Sequence, residues 1–516
     1  MRRSTVRLLS LALFTVLGCS DHNSTAPPAG RPSFAAGGQG NGNGKTSLDL
    51  IEDDYTNGLL DKNNVNRYRE YAVDATDLLP AKYKSTVIGK DATYSMIQMA
   101  LDWDGLSAST KQEIVDLRGN GFGELKNTVT TQHFVLHFTT QGHHAVPAQD
   151  LDGNGISDFM DVAAQSWEFV WNREINQLGY PAPKGTPAQR FHVYYRQLPY
   201  YGYTVPENIG PCPGISGGSF PCATASGWIV VNSSFYGGFP PNDEDVTGNE
   251  VIRSGALKVT QAHEFMHASQ FNINVLQSGW LFESHATWAE DAVYDGLNDW
   301  RWYINRFLAT PDLPIFSRYV YGSAFYQNWL SETYGVDVTR QIWLAARTRS
   351  TPDAVRDVAF GGSWEGMKDF APAEYTLGIS DFTRDGPSVI PIPRNVIRAT
   401  HSTYPVAVDV PVSKGSVVTR APWGLGANFV EFVPGPSGPL TISFDGADGF
   451  AWRAFAIVTD AKGRSSTLPI SLDNGSAGSI TVPGFGSRAT QVTLVSTIAD
   501  RPGNEVPYAY RATIGP

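Results

Sequence analysis

Two histidines four residues apart, with a glutamate beside the first, constrain the fold of this chain more than any other feature. They form the pattern His263-Glu264-x-x-His267 within residues 260–270. Residues four apart lie on one face of an α-helix, so both imidazoles can reach a single ion. Glu264 can then accept a proton from a water on that ion. With only 10 histidines in the chain, a chance match is rare, and the pattern predicts a zinc-binding helix.

A third zinc ligand is expected on the next helical stretch, residues 280–291. Catalytic zinc usually takes three protein ligands and leaves a fourth position for water. Glu283 and Glu290 lie on one helical face, but they are about 10 Å apart along the axis, so one ion cannot use both. Glu283 follows an apolar turn suited to burial. We therefore predict Glu283 as the ligand and Glu290 as a hydrogen-bonding partner near the site.

The first residues indicate export from the cytoplasm. Arg2, Arg3 and Arg7 precede an apolar run, residues 8–17, that is too short to span a bilayer. The run ends in Val-Leu-Gly-Cys, which resembles a bacterial lipoprotein signal with Cys19 as the lipidated residue. The alternative is plain cleavage and secretion. We expect an extracytoplasmic protein that contacts a membrane, preferably the outer membrane, only through a lipid on Cys19.

The cysteine count and the net charge restrict the partners further. Lipidation of Cys19 leaves two of the 3 cysteines, Cys212 and Cys222, on either side of a loop rich in Gly, Pro and Ser. In an oxidising compartment this spacing predicts a disulfide. The formal net charge of −11 argues against a nucleic-acid partner. We expect a monomer with a protein or peptide partner.

Composition along the chain predicts an α+β protein of several domains. At 516 residues the chain has room for two or three domains. The predicted divisions are a signal peptide at 1–19, a flexible linker at 20–46, a helical region at 47–130, a central domain at 131–393, and a β-sandwich of short strands at 394–516. The helical region shows no chemical motif. It is either a removable propeptide or a structural domain.

An aspartate-rich loop, residues 150–161, has the spacing of a calcium site. Its glycine at the sixth position allows the sharp turn that such loops need. The predicted oxygen ligands are Asp150, Asp152, Asn154, the Ile156 carbonyl, Asp158 and Asp161. Asp161 stands where a bidentate glutamate is usual. The alternative is a turn that caps the next helix.

Two other histidines, His133 and His137, belong to a predicted strand at 132–138. Strand residues four apart share a face but lie two pleats apart. We interpret them as histidines with partners inside the sheet rather than as metal ligands.

The order of these elements resembles secreted bacterial zinc metallopeptidases of the gluzincin clan. The resemblance covers roughly residues 130–340 and rests on the aspartate-rich loop, His263-Glu264-x-x-His267, Glu283 and Tyr319-x-x-Gly322. The absence of the longer pattern with a third histidine argues against a metzincin. The resemblance implies a zincin-like domain with a mixed sheet, in which residues 227–232 form the cleft edge. It also implies a tyrosine near the oxyanion, with Tyr319 preferred and Tyr321 as the alternative.

The predicted function is therefore zinc-dependent hydrolysis of peptide bonds, with Glu264 as general base. An endopeptidase is the working expectation, although the sequence leaves exopeptidase activity open. The alternative is a non-catalytic, calcium-stabilised surface binding protein on a peptidase scaffold.

Overall fold

The computed structural model describes residues 44–515, except for positions 216, 246–252, 385–387, 389, 391–396, 413–420 and 502. The predicted signal peptide with Cys19 lies outside the described residues, as does most of the predicted linker. Within the described ranges, no helix is both long enough and apolar enough to cross a membrane. Helices and sheets are combined in one chain, so the predicted mixture of α and β structure is confirmed.

All the α-helices of the described residues end at or before residue 384. They are α1 (Ser47–Thr56), α2 (Lys62–Asp74), α3 (Thr93–Asp102), α4 (Ala108–Gly123), α5 (Asp158–Trp171), α6 (Ser254–Asn274), α7 (Gly279–Val293), α8 (Arg301–Leu308), α9 (Ala324–Tyr334), α10 (Asp337–Ala345), α11 (Thr351–Ala359), α12 (Met367–Thr376) and α13 (Asp381–Arg384). A π-helical turn, Asn172–Gln177, continues α5.

Strands fall into two sets, one in the first half of the chain and one near its end. The first set is β1 (Gly89–Asp91), β2 (Asn127–Thr130), β3 (Phe134–Phe138), β4 (Phe191–Arg196), β5 (Tyr200–Pro211) and β6 (Ala223–Asn232). The second set is β7 (Ala399–His401), β8 (Val406–Val410), β9 (Ala427–Phe432), β10 (Gly438–Gly446), β11 (Trp452–Asp460), β12 (Ser465–Ile470), β13 (Ala477–Phe485), β14 (Ala489–Ile498) and β15 (Tyr508–Ile514).

The first set forms a six-stranded mixed sheet in the order β1-β5-β6-β4-β3-β2. Strands β3, β4 and β6 are parallel, while β5 is antiparallel to β6. The prediction that residues 227–232 form the cleft edge is wrong, because β6 is paired on both sides, with β4 and β5. The antiparallel strand β5 lies outside it, and the short strand β1 pairs in parallel with the outer side of β5.

Side chains alternate across this sheet and enter two different cores. Val193 and Ile229 point to one face, where they pack with Phe265 of α6. Trp228 and Val230 point to the other face and pack against the helices of residues 47–130, the N-terminal region. Because side chains of neighbouring strand residues lie on opposite faces, both faces of the central strands are buried. The N-terminal region therefore covers this face at β6 and the first half of β5, whereas His192 of β4 on the same face is exposed.

Helix α6 lies between the sheet and α7, and nearly all of its residues are buried. A helix buried all round has no polar stripe, which is why apolar periodicity alone would not have identified it. Ser278 begins α7 as an N-cap, since its side chain accepts a hydrogen bond from Leu281 N–H. The short connection of residues 275–278 sets the two helices side by side.

The predicted disulfide between Cys212 and Cys222 is confirmed. It joins the end of β5 to the beginning of β6, and both sulfurs lie 3.5 Å from the Ile273 carbonyl of α6. A crosslink of this loop length stabilises a fold by roughly 2–3 kcal/mol. It therefore fastens the outer strand of the sheet near the central helix.

The C-terminal strands form two groups in which neighbouring strands are antiparallel, except that β7 is parallel to β9. Strands β13, β10, β15 and β8 pair in one group, and β12, β11, β14, β9 and β7 lie in the other. One pair of residues, Phe485 and Ala489, links the groups. Both groups contribute to a shared apolar core that includes Phe444, Trp452 and Leu494.

Candidate metal centre

Four buried side chains from three elements converge behind the outer strands of the sheet. They are Asp91 at the end of β1, His263 and His267 on α6, and Glu283 on α7. One nitrogen or carboxylate oxygen from each lies within 4.8 Å of the others. The structure thus brings together the three predicted zinc ligands and adds a fourth residue that sequence analysis did not identify.

The distances within this cluster fit a small cation. Glu283 Oε2 lies 3.4 Å from His263 Nε2 and 3.7 Å from His267 Nε2. His267 Nε2 also lies 3.7 Å from Asp91 Oδ2. Tetrahedral ligands about 2.0–2.1 Å from zinc are roughly 3.3 Å from one another. The cluster needs only a small contraction to reach that spacing.

Hydrogen bonding gives an independent test of whether a metal belongs here. In the described part of the chain, His263 Nε2, His267 Nε2 and both carboxylate oxygens of Glu283 are buried without a hydrogen-bond partner. Buried polar groups are nearly always paired, because an unpaired one keeps its full desolvation cost. Four such atoms around one point fit a bound cation, and nitrogen with carboxylate oxygen is a donor set suited to zinc.

The other ring nitrogens of both histidines have partners. His263 Nδ1 lies 2.7 Å from Glu290 Oε1, and His267 Nδ1 lies 2.8 Å from Gln270 Oε1. Both oxygens accept hydrogen bonds, so each Nδ1–H donates and each Nε2 keeps its lone pair for the centre. Burial lowers the pKa of His263 and of His267. The neutral form, which binds metal, is therefore favoured.

A polar chain holds α6 against α7 behind His267. The Gln270 amide nitrogen donates to the Phe282 carbonyl at 3.2 Å and lies 3.1 Å from His285 Nδ1. His285 Nε2 in turn lies 2.7 Å from the Tyr180 hydroxyl. Sequence analysis missed Gln270, although its position three residues after His267 puts it on the same helical face. This chain of hydrogen bonds orients His267 without contacting the metal centre.

Glu290 lies on the His263 side of the centre and links the centre to the N-terminal region. Its Oε2 accepts a hydrogen bond of 2.9 Å from Lys90 Nζ, and Lys90 also pairs with Asp299. Burial raises the pKa of Glu290, and the Lys90 ammonium opposes that rise. As predicted from its spacing, Glu290 lies next to the site and is outside the cluster of ligand atoms.

Glu264 lies beside the cluster and faces β5. The Thr204 hydroxyl donates to its Oε2 at 2.7 Å, and the Thr93 hydroxyl oxygen lies 3.2 Å from the same oxygen. A Cβ atom at Gly202 would lie 2.9 Å from Glu264 Oε1, so glycine is what allows β5 to approach this closely. Burial raises the pKa of Glu264 well above its usual value, and the nearby Asp91 adds to the rise.

Both candidate tyrosines line the same cavity as Asp91 and Glu283. The ring of Tyr321 lies 6.3 Å from the His263 ring, whereas the Arg306 guanidinium covers the Tyr319 ring at 3.7 Å. Burial raises the pKa of Tyr319 to about 12 and that of Tyr321 well above its usual value. Both phenols are therefore neutral at physiological pH and able to donate a hydrogen bond.

The aspartate-rich loop forms a second, exposed cluster before α5. Carboxylate oxygens of Asp150, Asp152 and Asp158 lie within 4.8 Å of one another. Asp150 accepts hydrogen bonds from the backbone of Gly153 and Gly155 at 2.8 and 2.9 Å. The predicted ligands Asn154, Ile156 and Asp161 are in the same loop, but Asp161 is outside the close group and is joined to Asn154 by a hydrogen bond of 3.0 Å.

The two strand histidines have partners away from the centre. His133 Nδ1 lies 2.6 Å from Glu168 Oε2, and its ring stacks on Trp171. His137 Nε2 lies 2.9 Å from His192 Nδ1 on the neighbouring strand. Neither histidine belongs to a metal-sized cluster of the described residues.

Comparison with known proteins gives a partial family match. Residues 235–370 match a family of unknown function, DUF6055. The matched span contains α6, α7 and the candidate tyrosines, whereas Asp91 lies outside it. No curated protein matches the chain.

A solved structure of a family GH115 4-O-methyl-α-glucuronidase, BtGH115A, with specificity for decorated arabinogalactans, is similar at 10% identity. The match covers 51% of this chain and 30% of that chain, with a TM-score of 0.15. A TM-score this low carries no information about the fold or function of this chain.

Proposed function

We propose that this protein is a zinc-dependent peptidase that hydrolyses peptide bonds in extracytoplasmic proteins or peptides. The observation that supports it best is the convergence of unpartnered ligand atoms from His263, His267 and Glu283, with Glu264 beside them. We infer on the same grounds that residues 131–393 belong to a zincin-like domain of the gluzincin type, whose sheet also includes β1 and β2 from the preceding region. The two groups of mainly antiparallel strands around one core support a β-sandwich at residues 394–516.

Polar side chains of the site bind zinc, transfer a proton or orient a ligand in this reaction. A zinc ion held by His263, His267 and Glu283 would supply Lewis acidity, which lowers the pKa of water and polarises a carbonyl group. Glu264 accepts the proton of the attacking water and passes it to the leaving amine. Glu290 keeps His263 in the tautomer whose Nε2 is free.

A tyrosine hydroxyl stabilises the oxyanion by donating a hydrogen bond, a contribution of roughly 3 kcal/mol in comparable sites. Tyr321 is favoured over Tyr319 for this role. Its ring contacts the ring of His263, while Tyr319 is covered by Arg306.

The peptide would bind along the outer side of β5. An extended peptide adds to a strand edge through main-chain hydrogen bonds, and β5 is the strand next to Glu264. The short strand β1 pairs with this edge in the structure, so a peptide would have to take its place. Gly202 leaves the space that lets Glu264 and the substrate backbone approach the same strand. This arrangement suits an endopeptidase, since a strand edge accepts the middle of a chain.

The remaining expectations complete the proposal. We propose that the aspartate-rich loop binds calcium with a structural role, because three carboxylates approach one another before α5. The disulfide supports an oxidising, extracytoplasmic compartment. A lipid on Cys19 would be the only membrane contact.

The test is zinc content together with hydrolysis of unfolded casein by the purified full chain, assayed intact and after limited proteolysis. We expect one zinc per chain and hydrolysis that a chelator abolishes and added zinc restores. The variant Glu264→Gln should keep zinc and lose hydrolysis. Hydrolysis that persists in Glu264→Gln would remove this proposal.

The second candidate is a non-catalytic binding protein with a closed zinc site. The observation that favours it is Asp91, since structural zinc sites have four protein ligands and no open position. This candidate predicts bound zinc without hydrolysis in either form of the chain.

A further inference from the structure

We propose that Asp91 is a fourth protein ligand of the zinc and that β1 blocks the peptide cleft, so that the intact chain is latent. The proposal rests on the proposed function, because it describes how the same site is closed. Its evidence is the position of Asp91, the pairing of β1 with β5, and the burial of Lys90.

Asp91 is held where the fourth ligand of the site would lie. Its Oδ2 is 3.7 Å from His267 Nε2, and the side chain is 1% exposed. The backbone N–H of Thr93 donates to Oδ2 and the Thr93 hydroxyl donates to Oδ1, both at 2.8 Å. Two fixed donors behind the carboxylate orient it towards the histidines. Catalysis needs this position open for water.

Strand β1 covers the edge that a substrate would use. Gly89 is opposite Tyr200 and Asp91 is opposite Gly202, in parallel pairing. Gly202 is also the residue at which an added Cβ would lie 2.9 Å from Glu264 Oε1, so this pairing lies beside the general base. A substrate backbone cannot form the same main-chain hydrogen bonds while β1 is paired there. Strand β1 and a bound substrate would therefore compete for the same edge of β5, beside the general base Glu264.

Lys90 anchors this strand in the protein interior. Its ammonium pairs with Glu290 and Asp299, and the rings of Tyr201 and Tyr303 lie 4.8 and 5.0 Å from it. A buried ammonium without such partners would be strongly destabilising. Because Glu290 also orients His263, its carboxylate both holds Lys90 of the blocking strand and positions a zinc ligand. Opening the site requires that residues 89–91 leave this position.

For the site to open, β1 has to leave while the helices around it stay folded. Residues 84–88 precede β1 outside any helix or other strand, and α3 begins at Thr93. The helices of the N-terminal region share an apolar core against the sheet, and Ala92 is the member of that core next to β1. Cleavage or displacement near residues 84–92 is therefore the change that we expect to activate the enzyme.

The experiment compares Asp91→Asn and Asp91→Ala with the wild-type full chain, each loaded with Co²⁺ in place of zinc. Asparagine keeps an oxygen to accept from Thr93, while alanine removes the ligand entirely. Asp53→Asn, a half-exposed aspartate of α1, is the matched control. The readouts are the cobalt absorption spectrum, its response to azide, and casein hydrolysis by the zinc forms.

We expect azide to change the spectrum of both Asp91 variants and to leave the wild type and Asp53→Asn unchanged. Because Lys90 still anchors β1 on β5 in these variants, casein hydrolysis by the intact forms should stay at the wild-type level and rise only after limited proteolysis. Identical spectra and equal azide binding in wild type and both variants would overturn the proposal even if the protein is an active peptidase. A spectral difference without hydrolysis in any form, including proteolysed protein, would keep Asp91 as a ligand and reject the peptidase function. These outcomes separate the two proposals.

Discussion

The metal centre and the aspartate-rich loop are two candidate ion sites built in opposite ways. The centre is buried and draws its side chains from β1, α6 and α7. The loop is exposed, and its close carboxylates lie within nine residues of one another, from Asp150 to Asp158. Burial makes an unpaired ligand atom costly in the centre, whereas water can satisfy the same atom in the loop. Ion binding should therefore govern activity at the first site and local stability at the second.

The largest expected effect is loss of the base in the buried centre. Glu264→Gln should lower kcat/KM by roughly 10²–10⁴-fold, because general base catalysis contributes about that much. Zinc content should stay at the wild-type level, since Glu264 is outside the ligand cluster. The measurement uses whichever form of the protein hydrolyses casein, with the exposed Glu124→Gln as control. Loss of zinc in Glu264→Gln would show that the residue supports the metal instead.

A matched pair on α7 tests which glutamate is the ligand. Glu283→Gln should remove most of the zinc, whereas Glu290→Gln should weaken zinc binding by roughly 10–100-fold, because it only orients His263. Zinc per chain is measured against a competing chelator, after each variant is shown to be folded. Full zinc in Glu283→Gln together with loss in Glu290→Gln would reverse the assignment.

The loop should respond to calcium through stability alone. At a hundred times its dissociation constant, calcium stabilises the wild type by about 2.7 kcal/mol. Asp152→Asn should abolish most of this gain without changing zinc content or hydrolysis. The measurement is the unfolding midpoint with and without calcium, using the exposed Asp104→Asn as control. An equal calcium response in Asp152→Asn and the wild type would reject the loop as a site.

The smallest expected effect concerns a buried carboxylate that belongs to neither site. Glu174 follows α5, and neither of its oxygens has a hydrogen-bond partner in the described chain. Burial raises its pKa well above the usual 4.5. The folded state therefore binds a proton that the unfolded state releases above pH 4.5, so stability falls as pH rises from there.

Glu174→Gln should flatten this part of the profile, because glutamine does not titrate. The measurement is the unfolding midpoint of wild type and variant between pH 4 and pH 8. Parallel profiles would show that Glu174 is ionised in the folded protein.

Whether a feature could be predicted depends on how far apart in sequence its contacting residues are. The pairing of Cys212 with Cys222 was predictable, because the partners are ten residues apart. The edge-strand prediction is wrong because it rests on the position of residues 227–232 shortly before the motif helix, and that position does not determine strand order. Only strand order, which depends on long-range pairing, distinguishes a central strand from an outer one. Asp91 has no motif around it and could not be recognised locally.

The sequence by itself determined which side chains lie together on one face of a helix. The pitch of α6 puts His263 and His267 on one face whatever the rest of the fold does. Tertiary structure alone decided what meets that face. Thr93 and Glu264 are 171 residues apart in sequence and hydrogen-bonded in the fold, and β1 brings Asp91 to the same place. Those contacts depend on how the N-terminal region packs against β5, and packing between distant segments leaves no periodic pattern in the chain.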